Sequence, residues 1–138
     1  MRGQSAIEFL LIAAFLLALS AVILNSVQAQ VIGTKDLRNA LLVKHDLDVL
    51  TQSMNLVFVQ GDGARVTRTM YFPPGAVCNF GTSPNNPLQC TVQNVGTVQA
   101  SDSFQGSVIF SACACSDCWK RAQIERSAGV TVVSCTNA

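Results

Sequence analysis

The sequence predicts an α+β protein: a long N-terminal α-helix, hydrophobic in its upper half and amphipathic in its lower half, packed on a small antiparallel, β-rich, disulfide-stapled head. Three observations carry that prediction. Residues 9–24 read FLLIAAFLLALSAVIL, without glycine, proline or charge. Between Ala40 and Val57 apolar side chains recur at alternating spacings of three and four. All six cysteines lie at or beyond Cys78. The chain accordingly divides into a short start at 1–3, a hydrophobic helix at 4–33, an amphipathic continuation at 34–54 and a head at 55–138.

Composition narrows the function classes. The chain has 138 residues, 49% hydrophobic and 12% charged, with a net charge of +1. Disorder is disfavoured at that hydrophobicity and low net charge. Nine Lys+Arg against eight Asp+Glu leave no basic excess to release phosphate counterions, so no nucleic-acid partner is expected. The charged fraction is about half the globular norm of roughly 25%. Its cause is local. Residues 4–33 hold 21 hydrophobic residues in 30, with Glu8 the only charge, whereas residues 34–138 hold 46 in 105, an ordinary proportion.

A bilayer-spanning helix needs about 20 mostly apolar residues. Phe9–Leu24 extended by Val27, Ala29, Val31 and Ile32 reaches that length, and a soluble helix is rarely apolar on every side. A secretory signal peptide is the first rival, with Ala18-Leu19-Ser20 and Val27-Gln28-Ala29 as small-x-small sites. Glu8 argues against it, because such signals carry positive charge ahead of the apolar core. Arg2 flanks one end and Lys35, Arg38 and Lys44 the other, which mildly opposes an inside N-terminus.

Arg2-Gly3-Gln4-Ser5-Ala6-Ile7-Glu8-Phe9, followed by the apolar run, resembles the class III signal of archaeal type IV pilins and pilin-like proteins. In that family a short basic leader ends in Gly, and a membrane-embedded prepilin peptidase cuts after it. The mature chain then begins with Gln and has Glu at its fifth position. The resemblance therefore implies a leader at 1–3, processing between Gly3 and Gln4, and assembly through Gln4, Glu8 and Phe9. Gln4 departs from the Phe typical of bacterial pilins. The resemblance covers about the first 30 residues, and the head beyond residue 55 carries no family motif.

The implied biology is a precursor in the cytoplasmic membrane that the pilus assembly machinery builds into an extracellular filament of identical subunits, used for adhesion or surface contact. Elementary electrostatics agrees with the Glu8 assignment. An unpaired charge in a low-dielectric core costs several kcal/mol even after relaxation. The Gln4 amine of a neighbouring subunit would offset Glu8 and favour subunits in register. Burying the apolar run at roughly 1.5–3 kcal/mol per side chain gives an upper bound of tens of kcal/mol, so lipid and polymer are the two homes expected for it. A plainer account of Glu8 stands beside this one. Ser5-Ala6-Ile7-Glu8 is a capping-box pattern, and an acid in the first turn suits the helix dipole.

Past Asn25 the apolar residues thin to one face: Ala40, Val43, Leu47, Leu50, Met54 and Val57, with Asp36, Lys44, His45, Asp46 and Asp48 mostly off it. As one element from Gln4 to about Met54 the helix would be some 75 Å long. Gly33 interrupts the pattern at about 1 kcal/mol relative to Ala, so a bend or local melting is expected there. Leu56–Val59, Gly61-Asp62-Gly63 and Arg65–Phe72 read as a β-hairpin with Val66 and Met70 on one face, ended by Pro73-Pro74-Gly75. Strands are expected at 91–98, 104–112 and 130–135. Residues 117–127 admit a short helix, with Ser116 as cap and Gly129 as stop, or an alternating strand. The head holds 27 Ser, Thr, Asn and Gln against nine charges, as suits an extracellular surface or simply a small neutral domain.

Cys78, Cys90, Cys113, Cys115, Cys118 and Cys135 form an even set in a small domain, which argues for disulfides. Cys78–Cys90 would close the loop NFGTSPNNPLQ. Cys113 and Cys115 would share a strand face, poorly placed to bond each other, and reach Cys118 and Cys135 in some order. Two rivals remain open: a four-thiolate zinc set built on Cys113, Cys115 and Cys118 with Cys135 or Cys90, and a redox CxxC at Cys115–Cys118. Trp119 stands where a haem attachment site needs His. No cofactor or resident metal is expected.

Catalysis finds little to work with. His45, the only histidine, falls on the polar helix side. Asp46 and Asp48 do not share a helix face. Trp119 and the seven Phe are read as packing residues. A structural, non-enzymatic subunit is the leading expectation. A membrane-anchored extracellular binding module that never polymerises is the second, and a metal-binding or redox head on the same anchor is the third.

Overall fold

The structure is a computed structural model. It describes residues 2–81, 87–111, 113, 115 and 117–138, with the side chains of residues 2–6 outside the description. Among these residues one α-helix, α1 (Arg2–Gln60), precedes seven strands. The chain forms two compact units, Met1–Lys35 and Asp36–Ala138.

Helical structure continues through Gly33 without the local melting its low propensity predicts. It also runs past Met54, so the strand expected at 56–59 is helical instead. Val57 explains this: it sits on the 3,4 stripe and is fully buried. Burial on that face outweighs the strand preference of Val and Phe, a weak and context-dependent quantity. Gly61, at φ +89°, ends the helix, and its N–H donates to the Val57 carbonyl at 3.2 Å.

β1 (Arg65–Phe72) therefore has no hairpin partner before it. It pairs antiparallel with β6 (Cys118–Ser127), from Arg65↔Glu125 to Phe72↔Cys118. Residues 117–127 thus resolve as strand rather than helix; Ser116, the supposed cap, lies outside the described residues. β6 turns into β7 (Val130–Asn137) through Ala128-Gly129, both at positive φ (+52° and +80°). Two such residues match the right-handed twist of a tight hairpin. β5 (Val108–Ser111) adds to β7 in parallel, completing a sheet of order β1-β6-β7-β5. Among the described residues this is the one parallel pair; the other strand pairings are antiparallel.

β2 (Ala76–Asn79), β3 (Pro87–Val92) and β4 (Gly96–Ser103) form a second, antiparallel sheet of order β2-β3-β4. The strand expected at 91–98 straddles its β3–β4 turn, where Asn94 takes φ +63°. The strand expected at 104–112 shrinks to β5, with residue 112 outside the described set. Phe104 is instead a fully buried plug, and Gly106 turns the chain where a Cβ would lie 2.5 Å from the Phe58 ring.

The six stripe residues Ala40, Val43, Leu47, Leu50, Met54 and Val57 are all buried. Leu47, Leu50 and Met54 share the core with Met70, Phe72, Ile124 and Val133 of the larger sheet and Leu88 and Val92 of the smaller one. Phe80 stacks on Phe110 at 4.9 Å between centroids, and Phe72 and Phe104 meet these rings edge-on. This aromatic cluster links the two sheets.

Candidate functional site

Two surfaces bear on function, one in each unit. In the N-terminal unit the described large apolar side chains of the helix are open to solvent. Phe9 is 71% exposed and Leu17 73%, and the other large side chains from Ile7 to Ile32 are exposed as well. The best window of this helix has a mean hydropathy of 2.7, so it is long and apolar enough to cross a membrane by length and composition, as a signal sequence also can be. Its hydroxyls return to the helix itself: Ser20 Oγ donates to the Leu16 carbonyl at 2.8 Å and Ser26 Oγ to the Val22 carbonyl at 3.0 Å. Such back-bonding lets Ser sit in an apolar span without an unmet donor. Gly3 and Gln4 fall in the first turns of α1, with side chains outside the described residues. Because α1 begins at Arg2, Ser5 lies inside the helix rather than at its start, so it is not placed as an N-cap.

In the head, the polar residues flanking the buried stripe bind the exposed edges of both sheets. Asp46 accepts a hydrogen bond from the Tyr71 N–H of β1 at 2.8 Å. Asp48 accepts from the Ser101 N–H of β4 at 2.6 Å and pairs with Lys44 at 3.6 Å. Asn55 donates to the Ser103 carbonyl and accepts from the Gln105 N–H. Asp46 and Asp48 therefore serve different sheets, which accounts for their failure to share a face. Burial raises the Asp46 pKa above the ordinary carboxylate value, partly opposed by the Tyr71 N–H and by His45. At the far end, Arg126 donates to the Phe58 carbonyl and lies 4.2 Å over the Phe58 ring, so a cation closes the helix C-terminus.

All six cysteines are in disulfides. Cys78 and Cys90 face each other in register across β2 and β3, with Cα atoms 3.9 Å apart. Cys113 and Cys135 join the segment after β5 to β7 at 4.8 Å, both buried. Cys115 and Cys118 join at 6.3 Å and bracket Asp117. Among the described residues no group of three or more His, Cys, Asp and Glu is arranged to hold a metal ion.

The packing assignment of the aromatic residues fails at three positions. Phe9 and Phe15 of the apolar helix are exposed, and so is Trp119, at 58%. The parity of Trp119 along β6 gives the reason: Ala122 and Ile124 point inward, and Trp119, an odd number of residues from both, lies on the outward set. Its ring meets Tyr71 at 5.0 Å, and the Tyr71 hydroxyl donates to Asp117 Oδ1 at 2.9 Å, which raises the Tyr71 pKa. The sequence reading also missed the edge-binding roles of Asp46, Asp48 and Asn55. Their one trace was position, immediately beside stripe residues Leu47 and Met54.

A long hydrophobic N-terminal helix, packed through its lower part on a small disulfide-stapled β-rich head, is a pilin-like architecture in general. No protein-family model, curated protein or solved structure matches this chain.

Proposed function

We propose that the chain is a structural subunit of an archaeal type IV pilus-like surface filament, processed after Gly3 and polymerised through its N-terminal helix for adhesion or surface contact. The observation that carries this reading is the apolar surface from Ile7 to Ile32, exposed in the single chain and set behind Arg2-Gly3-Gln4 with Glu8 as its one charge. Such a surface requires lipid or copies of itself. The membrane holds it before assembly, a prepilin peptidase frees the Gln4 amine, and the assembly machinery transfers the helix into the filament. Glu8 then pairs with a neighbour's Gln4 amine. The three disulfides suit a head that works outside the cytosol.

Shearing cells and sequencing the N-terminus of the released material tests this. Filaments whose subunits begin at Gln4 are expected. Recovery only from detergent-soluble membranes, with chains beginning at Met1, would overturn the reading in favour of a membrane-anchored binding module. Glu8→Ala is expected to lower filament yield while leaving the head folded; normal filaments from that variant would leave helix-dipole stabilisation as the whole role of Glu8.

A further inference from the structure

The larger sheet buries one face, through residues 70, 72, 122 and 124, and turns the other to solvent. At one end of the solvent face Tyr71 and Trp119 stand directly opposite in register, their rings tilted by 37°. Asp117 lies beside them, fixed by the Cys115–Cys118 bridge around it and by its hydrogen bond from Tyr71. Two residues along β6, Arg121 is exposed and its guanidinium, among the described residues, has no ion-pair or hydrogen-bond partner. Its register neighbours are Thr69 and Thr136, both exposed.

The chemistry of this patch is specific. An exposed indole seeks an apolar surface, yet its neighbours on the sheet are hydroxyls and charges rather than the continuous apolar ground of a protein-interface centre. A ligand that fits must offer a small apolar face and a rim of hydroxyls. A pyranose ring does both: its C–H face covers an aromatic ring, and its hydroxyls donate to a carboxylate and accept from a guanidinium. The two charges cancel, which favours a neutral ligand over an anion or a cation.

We propose that Trp119, Tyr71, Asp117 and Arg121 form a binding site for a neutral pyranose saccharide. The site belongs to the head, polymerised or not, and gives the adhesion part of the function proposed above a ligand class, resting on that reading only there.

Trp119 is the only tryptophan, so indole emission reports on this site alone. The full chain in phospholipid nanodiscs, free of sugar-based detergent, is titrated with glucose, mannose, galactose, N-acetylglucosamine and cellotetraose, with open-chain mannitol as control. A saturable emission change with at least one pyranose in the millimolar range or tighter is expected, and none with mannitol. Arg121→Ala and Asp117→Asn, which keep the fluorophore, are each expected to weaken binding about tenfold. The site is overturned by no saturable change with any of the sugars at about 50 mM, by a change that mannitol reproduces, or by binding that both variants retain in full. Filament yield is scored separately: filaments without sugar binding remove this site alone, and sugar binding without filaments removes the polymer alone.

Discussion

Residues 7–32 and 40–57 belong to the same α-helix and have opposite fates. In the first stretch the large apolar side chains are exposed, Phe9, Leu17 and Val22 each above 60%. In the second, six apolar residues are buried to 7% or less, while Leu41 and Leu56 beside them stay open. Apolar content does not separate the two, since the exposed stretch is the richer. Patterning does. A helix apolar on all sides has no face to offer a single sheet, whereas a stripe of one residue every 3.5 lays itself along one.

The sharpest way to break this contrast is to remove the first stretch. A chain beginning at Asp36 is expected to be water-soluble and monomeric with all three disulfides formed, whereas the full chain needs lipid, detergent or its own polymer. The difference corresponds to tens of kcal/mol of apolar burial. Size-exclusion chromatography without detergent, with a thiol count, reads it; an aggregated Asp36 chain would mean that the upper helix supports the head.

Single truncations sharpen the same point. Leu50→Ala, at the centre of the stripe, should cost the head about 2–5 kcal/mol in denaturant unfolding. Leu17→Ala should leave head stability within about 0.5 kcal/mol. Equal effects would erase the distinction between the two stretches.

Next come the cross-links, which belong wholly to the head. Replacing Cys113 and Cys135 together by Ala opens a loop of sequence separation 22 and should cost about 3 kcal/mol by chain entropy. Removing the Cys115–Cys118 pair, separation 3, should cost about 2 kcal/mol. Thermal unfolding of the two double variants gives the ranking.

The smallest expected effect is a pH dependence at Asp46, on the polar flank of the second stretch. Its pKa in the folded chain lies above the ordinary 3.8 because burial disfavours the carboxylate. Between those two values the folded state holds more protons, so this group's contribution to stability falls as pH rises through the window. Asp46→Asn keeps an acceptor for the Tyr71 N–H and should remove that slope. Denaturation midpoints measured from about pH 3.5 to pH 6 would show it, and an unchanged slope would assign the dependence to another carboxylate.

The stripe from Ala40 to Val57 was legible because burial itself sets its period. The end of α1 was not, because Leu56–Val59 carry strand-like side chains and only Gly61 marks the stop. The segment 91–98 alternates well enough to read as one strand, yet Asn94 and Gly96 accept the positive φ of a turn. The pairing of β5 with β7 depends on residues more than 20 apart and leaves no local trace. Trp119 was legible in principle: once Ala122 and Ile124 point inward, period two sends position 119 outward. Asp46 and Asp48 were not, since a carboxylate that binds a distant strand edge looks in sequence like any solvated one.

Those two carboxylates also bear on how copies of the head can meet. An unpaired strand edge is a template on which another chain can add a strand of its own. Asp46 occupies an edge N–H of β1, and Asp48, Lys44 and Asn55 occupy donors and acceptors along β4 and just beyond it. Side chains from the lower half of α1 thus take up part of the outer edge of each sheet, one N–H on β1 and several groups along and just beyond β4. Crowded heads meet those edge groups already engaged, which disfavours strand addition there and favours association through side-chain surfaces.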